Sequence, residues 1–397
     1  MTIQSRLRKL VSDRLPRSRK GSIIVLAAAL MVVILAFTAF TVDLGYIALT
    51  KTQLQAAADG SALAAGLELG DGFGTTAVSA STVLSVGTDA AQTVAAVHKN
   101  GDLNSTYLDT SRDIRFGTLT WDSDTAAWVE TWGASPYNLV EVTLKRKASS
   151  DQGGDSSLPL FFGPIIGSSA ASVSVLATAA LLPAAGISVS PGGTAPVLPL
   201  AVDLASWEDL MNGIGSDNYS YDPDTDSVTN NSSDGILEMN MFPGDDSSLP
   251  SGNRGTVDFG NPNNATIDLE RQIINGLNYD DMTYYPNNEI SLEGGSFDVS
   301  GDTGIDVNLK DELASIIGQT RIVPLFTNVV GQGTNSTYTI VKWVGVRIMA
   351  VKMVGANRYV YLQPATFVAT GMSRVTEGGP LAEIRDDTVF APIFLYK

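Results

Sequence analysis

The feature that most constrains this chain is an uninterrupted apolar run close to its amino terminus. Residues Gly21–Val42 (GSIIVLAAALMVVILAFTAFTV) contain no charged side chain and no proline. A helix of roughly 20 such residues covers the ~30 Å hydrocarbon layer of a bilayer and satisfies its own backbone hydrogen bonds. We therefore predict a transmembrane anchor over residues 21–42.

Helical periodicity continues beyond the anchor as far as Leu69. The apolar residues that recur at spacings of three, four or seven are mostly alanine, and the stripe comprises Ile47, Leu54, Ala58, Ala62, Ala65 and Leu69. Small side chains let a packing partner approach closely. Two interpretations stay open: a helix that packs on its own domain, or a stalk that also packs against neighbouring subunits.

The charge before the apolar run predicts the orientation of the chain. Residues 1–20 hold seven Lys and Arg side chains against a single acid, Asp13. By the positive-inside rule this basic arm stays cytoplasmic and the rest of the chain is exported. A cleavable signal peptide has a shorter apolar core of ~7–15 residues, followed by a small-residue cleavage site. Here the Ala-x-Ala pattern (Ala27–Ala29) lies inside the run, so we predict an uncleaved, single-pass inner-membrane protein with its bulk in the periplasm.

Polar residues that flank and follow the span carry a family resemblance. Arg19–Gly21 precede the span, Val42-Asp43-Leu44-Gly45 end it, and Leu54-Gln55-x-Ala-x-Asp59-x-x-Ala62 follows. The stretch that contains these motifs, about fifty residues long, resembles the amino-terminal region of TadG-like (Tad-type, Flp) pilus-assembly proteins. The resemblance implies a single-span envelope protein of the tight-adherence pilus system. The anchor and assembly-helix residues that it implies are Gly21, Asp43, Gly45, Leu54, Gln55, Ala58, Asp59 and Ala62.

One position departs from true pilins. A prepilin cleaved by its peptidase usually carries Glu at the fifth residue after the cleavage-site glycine, whereas Leu26 stands there after Gly21. We therefore expect no processing at Gly21, and we do not expect this chain to be a major pilin.

An antiparallel sheet is predicted after the long helix. A second helix is predicted over Ala77–Lys99, with the lone histidine His98 at its end. Alternating segments joined by polar turns indicate strands at Ile114–Trp121, Ala127–Trp132, Leu139–Lys145 and Val173–Thr178. On this interpretation the cationic side chains of Arg115, Lys145 and Arg146 lie on the exposed side.

The apolar stretch Leu158–Pro183 could be a second span, but Pro159 and Pro164 interrupt it, so we predict that it is exported. The sequences FGTLTWD (116–122), NLVEVTLKR (138–146) and PLFFGPIIGS (159–168) also resemble the carboxy-terminal region of Tad-like pilus-assembly proteins.

The remaining chain is predicted to form a second β-rich domain. Residues 184–199 are rich in Gly and Pro and are predicted as a linker. The predicted elements of the second domain are strands at Thr283–Ile290, Thr320–Val330, Thr337–Lys352 and Arg358–Thr370 and helices at Ala265–Leu277 and Leu309–Ile317. The predicted fold class is α+β, with a cytoplasmic arm (1–20), an anchor (21–42), an exported α+β domain (43–183), the linker (184–199) and a second exported β-rich domain (200–397).

Composition argues against most kinds of chemistry. The chain has no Cys, a single His, and a formal net charge of −17, which disfavours thiolate chemistry, a multi-histidine metal site and nucleic-acid binding. The acidic stretch Asp222–Ser227 begins like an EF-hand loop but has Ser227 where that loop needs Gly. No catalytic motif occurs, so we predict a non-enzyme without cofactor or metal.

Two functional hypotheses follow. The first is a structural or assembly component of a Tad-type pilus or related secretion apparatus, acting through protein–protein docking. Its predicted partners are the lipid bilayer, other pilus-assembly or secretion proteins, and further copies of itself through the amino-terminal helix. The second is a membrane-tethered periplasmic hydrolase, carbohydrate-binding protein or adhesin. Within the first, Asp59 is predicted to make a specific polar contact because it interrupts an otherwise small, apolar helix.

Overall fold

The computed structural model describes residues 22–147, 155–242, 254–260, 265–355 and 357–397. The basic arm and Gly21 lie outside these ranges. The chain is α+β, as predicted, and begins with one long helix, α1 (Ser22–Leu67). At ~1.5 Å per residue its 46 residues extend over about 69 Å. The α-helix passes directly into a short 3₁₀ turn at Glu68–Gly72.

The other helices are shorter. Ser79 caps the second helix by accepting a hydrogen bond from Thr82 N–H, and His98 lies at its carboxyl end. The helices after α1 are α2 (Ala80–Val97), α3 (Leu204–Met211), α4 (Thr266–Asn275), α5 (Tyr279–Met282) and α6 (Lys310–Ser315).

The first sheet lies against the second half of α1. It contains β1 (Ile114–Asp122), β2 (Ala127–Trp132), β3 (Leu139–Arg146), β6 (Val173–Ala180) and β23 (Phe394–Leu395) in the order β2-β1-β3-β6-β23. All of these neighbours pair antiparallel. The helix contacts β3 and β6 on one side and α2 on another. The buried stripe of α1 and the alternate residues of β3 and β6 form one apolar core.

The apolar stretch after β3 forms short strands and a 3₁₀ turn (Gly163–Ile166) rather than one long helix. Two short strands, β4 (Leu158–Pro159) and β5 (Ala170–Ala171), pair with each other, and β6 follows at once.

The second half of the chain is built on a ring of paired strands. The ring is formed by β9 (Leu200–Asp203), β13 (Arg254–Val257), β16 (Phe297–Asp302), β18 (Ser336–Lys352) and β17 (Thr320–Val330), because β17 pairs with both β9 and β18. Register shifts in β17 and in β18 mark bulges, which let long strands bend around a closed barrel. Strands β19 (Tyr359–Pro364) and β12 (Met239–Asn240) extend the sheet beyond β18.

Small two- and three-stranded sheets complete this half. Their strands are β7 (Ala184–Ser188), β8 (Thr194–Ala195), β10 (Tyr219–Asp222), β11 (Ser227–Asn230), β14 (Leu277–Asn278), β15 (Glu289–Ser291), β20 (Phe367–Val368), β21 (Met372–Arg374) and β22 (Val389–Phe390).

The carboxyl end of the chain returns to the first sheet. Strand β23 pairs with β6, and Thr178 N–H donates to the carbonyl of Lys397 at 2.9 Å. A Cβ added to Gly66 of α1 would lie 2.6 Å from Ile393, so glycine permits this close approach.

The predicted linker, residues 184–199, contains β7 and β8 and includes buried side chains such as Ile187 and Val197. The division into two exported domains stays a prediction.

Two expectations from the sequence are wrong. Residues 283–290 do not form a strand, because a capping box of Asn278 and Asp281 begins the helical turn α5 and Pro286 begins a 3₁₀ turn, leaving only Glu289 and Ile290 in β15. Arg146 is not exposed: only 1% of its surface is accessible. It falls on the same face as Val140, Val142 and Leu144, since side chains alternate along a strand.

We expect Ala62→Leu to lower the stability of the chain by about 1–3 kcal/mol, because Ala62 is fully buried and a larger side chain overpacks the core. Ala56→Leu is the matched control, since Ala56 lies on the exposed face of the same helix and both residues favour helix. Urea unfolding of the full chain in detergent measures both variants. Equal midpoints for the two would contradict a closely packed α1.

Candidate functional site

The first part of α1 presents an apolar surface that the other residues described by the structure leave uncovered. Its large side chains from Ile23 to Phe40 are mostly more than half exposed. By length and composition this is the one helix among the described residues that could cross a membrane. Burial of α1 begins only at Asp43, where the predicted span ends.

Asp43 links α1 to the loop between β4 and β5. Its side chain is buried, with 6% of the residue surface accessible. The carboxylate accepts hydrogen bonds from the backbone N–H groups of Phe161, at 2.9 Å, and Phe162, at 3.0 Å. Hydrogen bonds to an ionised carboxylate are stronger than those between neutral groups, so this contact fastens the loop to α1. Two residues on, Gly45 lies in open space, since a Cβ there would meet no atom within 4 Å.

The predicted alanine-rich stripe is covered by the chain itself. Leu54, Ala58 and Ala62 are fully buried in the core that α1 shares with α2, β3 and β6. In this arrangement the stripe packs on its own sheet, the first of the two interpretations left open by the sequence. Any contact of α1 with another copy would therefore use its other faces.

Gln55 and Asp59 lie at the edge of this packed face. The Gln55 amide donates to the Asp59 carboxylate at 2.7 Å and to the carbonyl of Leu176 at 3.0 Å. The side chain of Gln55 thus links α1 to β6 and also provides a hydrogen-bond donor to the Asp59 carboxylate. Two residues before Gln55, the side-chain oxygen of Gln53 accepts a hydrogen bond from Gly101 N–H at 2.8 Å.

Arg146 is a structural residue that sequence reasoning missed. Its guanidinium donates to the carbonyl and side-chain oxygens of Asn100 at 2.9 and 2.8 Å, to Asp102 at 2.8 Å and to the Ser156 carbonyl at 2.6 Å. Five N–H donors in a fixed fork suit such a set of acceptors. The side chain therefore joins the end of β3, the turn after α2 and the segment before β4. The alternation of β3 was the signal that places it inside.

Asp113 forms a second buried charged cluster on the same sheet. Arg112 donates to it at 2.6 and 2.7 Å, Lys145 at 2.8 Å and Asp109 N–H at 3.1 Å. Burial raises the pKa of the Asp113 carboxyl, but these donors outweigh burial and hold the pKa below its ordinary value.

We expect Asp113→Asn to destabilise the chain at neutral pH by about 1–3 kcal/mol, because the hydrogen bonds to a charged acceptor weaken. A depressed folded-state pKa contributes stability above the unfolded pKa of about 3.9, and that contribution is lost as pH falls through the folded value. The difference between wild type and variant should therefore shrink from pH 7 to pH 3 in urea titrations. Asp124→Asn, at an exposed turn, is the control. A difference that stays constant with pH would contradict this account.

Two clefts open near the carboxyl-terminal segment, and the basic side chains that line them, Lys342 and Arg385, both form ion pairs within the chain. The cleft of about 650 Å³ is lined by Glu208, Glu293, Lys342 and Arg385, among others. Arg385 forms a bidentate ion pair with Glu208 at 2.9 and 3.0 Å, and Lys342 pairs with buried Asp387 at 3.2 Å.

In the part of the chain that the structure describes, no group of three or more His, Asp or Glu side chains could hold a metal ion. The acidic run at Asp222 forms the turn between β10 and β11, where its carboxylate accepts from Asp224 N–H and the Thr225 hydroxyl.

Comparison with known proteins gives matches to two family models, both in the amino-terminal part of the chain. Residues 21–68 match a family described as putative Flp pilus-assembly TadE/G-like, and residues 74–179 match a family described as putative Tad-like Flp pilus-assembly. The resemblance read from the sequence is thereby confirmed over α1, α2 and strands β1 to β6. No curated protein and no solved structure matches the chain.

Proposed function

We propose that this chain is a membrane-anchored structural component of a Tad-type pilus or a related secretion apparatus. Its residues 21–68 and 74–179 match two Flp pilus-assembly families, which supports this role. The single observation that carries this proposal is the agreement of two family matches with one continuous architecture. Both matched regions meet in the core formed by α1, α2 and the first sheet.

The anchor in this proposal is the uncovered apolar half of α1, residues 22–42. The seven basic residues before it orient it, so that residues 1–20 remain in the bacterial cytoplasm and the body lies outside the inner membrane. The exposure of Ile23 to Phe40 supports this arrangement, because in water such a surface would be unfavourable.

The exported body would act by docking to other envelope proteins of the pilus or secretion machinery. The net charge of −17 argues against nucleic acid as a partner. Other copies of the chain remain candidate partners through the faces of α1 that the sheet leaves free. The families matched are assembly proteins, which supports a role without catalysis, and no arrangement in the clefts favours the hydrolase or carbohydrate-binding alternative.

Crosslinking in native membranes followed by affinity capture of the full chain tests the proposal. We expect Flp pilus-assembly or secretion components among the crosslinked partners. The matched control replaces Met31 and Ile34 by Arg, since each arginine in mid-span costs about 2.5–3.5 kcal/mol of insertion. Capture of the same components by this variant would argue against anchoring, and capture of none by the wild type would argue against the assembly role.

A further inference from the structure

A second apolar surface lies outside the helix, on the loop between β4 and β5. Phe161, Ile165 and Ile166 are 65%, 80% and 77% exposed, respectively. The whole segment Leu158–Ala171 contains no charged residue. A cluster of large exposed apolar side chains on one short loop usually marks a surface that another phase or molecule covers.

The loop has a defined shape, so this exposure is built into the fold. Leu160 N–H donates to the Ser169 carbonyl at 3.0 Å, and Ser168 N–H donates to the Gly163 carbonyl at 3.0 Å. A Cβ on Gly163 would lie 2.1 Å from the carbonyl oxygen of Ser168, so this close turn requires glycine. Several backbone N–H and C=O groups therefore form hydrogen bonds within the loop. A segment in contact with lipid requires such internal hydrogen bonds.

The position of the loop points to its occupant. Asp43, the first buried residue after the proposed span, accepts the N–H groups of Phe161 and Phe162. The rings of Tyr46 and Phe161 are in contact, with centroids 5.1 Å apart. The loop thus lies beside the turn of α1 at which the apolar surface of the anchor ends. Its own apolar surface continues that of the anchor.

We infer that the loop Leu160–Gly167 inserts into the interfacial layer of the bilayer beside the anchor. The inference rests on the proposed anchoring of α1. Apolar side chains at this level bury to a depth of about 5–10 Å at the boundary of headgroups and acyl chains. Because the loop carries no basic residue, a zwitterionic lipid suffices. The body is then held by two membrane contacts, which fixes its orientation on the membrane as well as its attachment.

Site-specific fluorescence in nanodiscs of phosphatidylcholine tests this inference. The chain has no cysteine, so Ile165→Cys gives a single site for an environment-sensitive fluorophore in the full-length protein. Nitroxide-labelled lipids, with the nitroxide either near the headgroup or near the acyl end, report contact and depth. Val32→Cys marks the anchor, and Ile214→Cys, at an exposed apolar residue of the second half, marks a site in water (64% exposed).

We expect the label at position 165 to be quenched more by the nitroxide near the headgroup than by the one near the acyl end. The label at position 32 should be quenched by lipid as well, and the one at 214 by neither. Quenching at 32 without quenching at 165 overturns the inference and leaves the anchor intact. A label at 165 that is shielded from water but not quenched would indicate protein contact and also overturns it. Absence of quenching at both sites rejects the anchor and the loop contact together.

Discussion

Replacing Arg146 by alanine should destabilise the part of the chain formed by α1, α2 and the first sheet by about 3–5 kcal/mol, the largest single-residue effect that we expect, because a large buried side chain and several charge-assisted hydrogen bonds are lost together. The substitution removes a buried guanidinium and leaves the side-chain oxygen of buried Asn100 without its donor, while the Asn100 carbonyl keeps Leu103 N–H. Unpaired buried acceptors carry their full desolvation penalty. Urea unfolding of the full chain in detergent measures the change.

Two further variants make this result specific. Arg146→Lys keeps the charge and loses the planar fork, so it should recover only part of the stability. Arg358→Ala removes an exposed arginine from the turn between β18 and β19, and it should change the midpoint little. If Arg146→Ala behaved like Arg358→Ala, the proposed junction of β3, α2 and the segment before β4 would be wrong.

Replacing Asp43 by alanine should release the β4–β5 loop from α1. The N–H groups of Phe161 and Phe162 lose their acceptor beside an apolar helix. A loss of about 1–3 kcal/mol corresponds to a roughly 5- to 150-fold increase in the local opening equilibrium. Hydrogen exchange of peptides that cover residues 160–168 measures this opening.

Asp59→Ala is the matched control for Asp43. It removes a carboxylate from the same helix, but the partner of that carboxylate is Gln55 rather than the loop. We expect loop exchange to be unchanged in this variant. Unaltered loop exchange in Asp43→Ala would contradict the role of Asp43 as the link between the two apolar surfaces.

Local patterns predicted much of the first half of the chain. The alternation of residues 127–132 and 139–145 matches β2 and β3 almost residue for residue, since side chains alternate between the two faces of a strand. The end of α2 at His98 and the whole of β17 were also predicted. The family resemblance located Asp43 and Gln55 but did not say what they touch.

Features that depend on distant pairing could not be predicted in this way. Asp43 and Phe161 are separated by 118 positions, and β6 and β23 by more than two hundred, so no local period joins them. Closure of the barrel through β9 and β17 is likewise a parallel pairing without a sequence signature. Arg146 is a different case. The alternation along β3 places its side chain on the buried face, but its positive charge led to the prediction that it is exposed.

The most direct test of the central claim is the number of Flp pili on the surface of the native bacterium. In a strain that lacks this chain, we expect pili to be lost and to return with the wild-type chain. They should not return with the Met31→Arg/Ile34→Arg variant, although Ile214→Arg, at an exposed site of the body, should restore them. Normal pili in the strain without the chain would contradict the proposed assembly role.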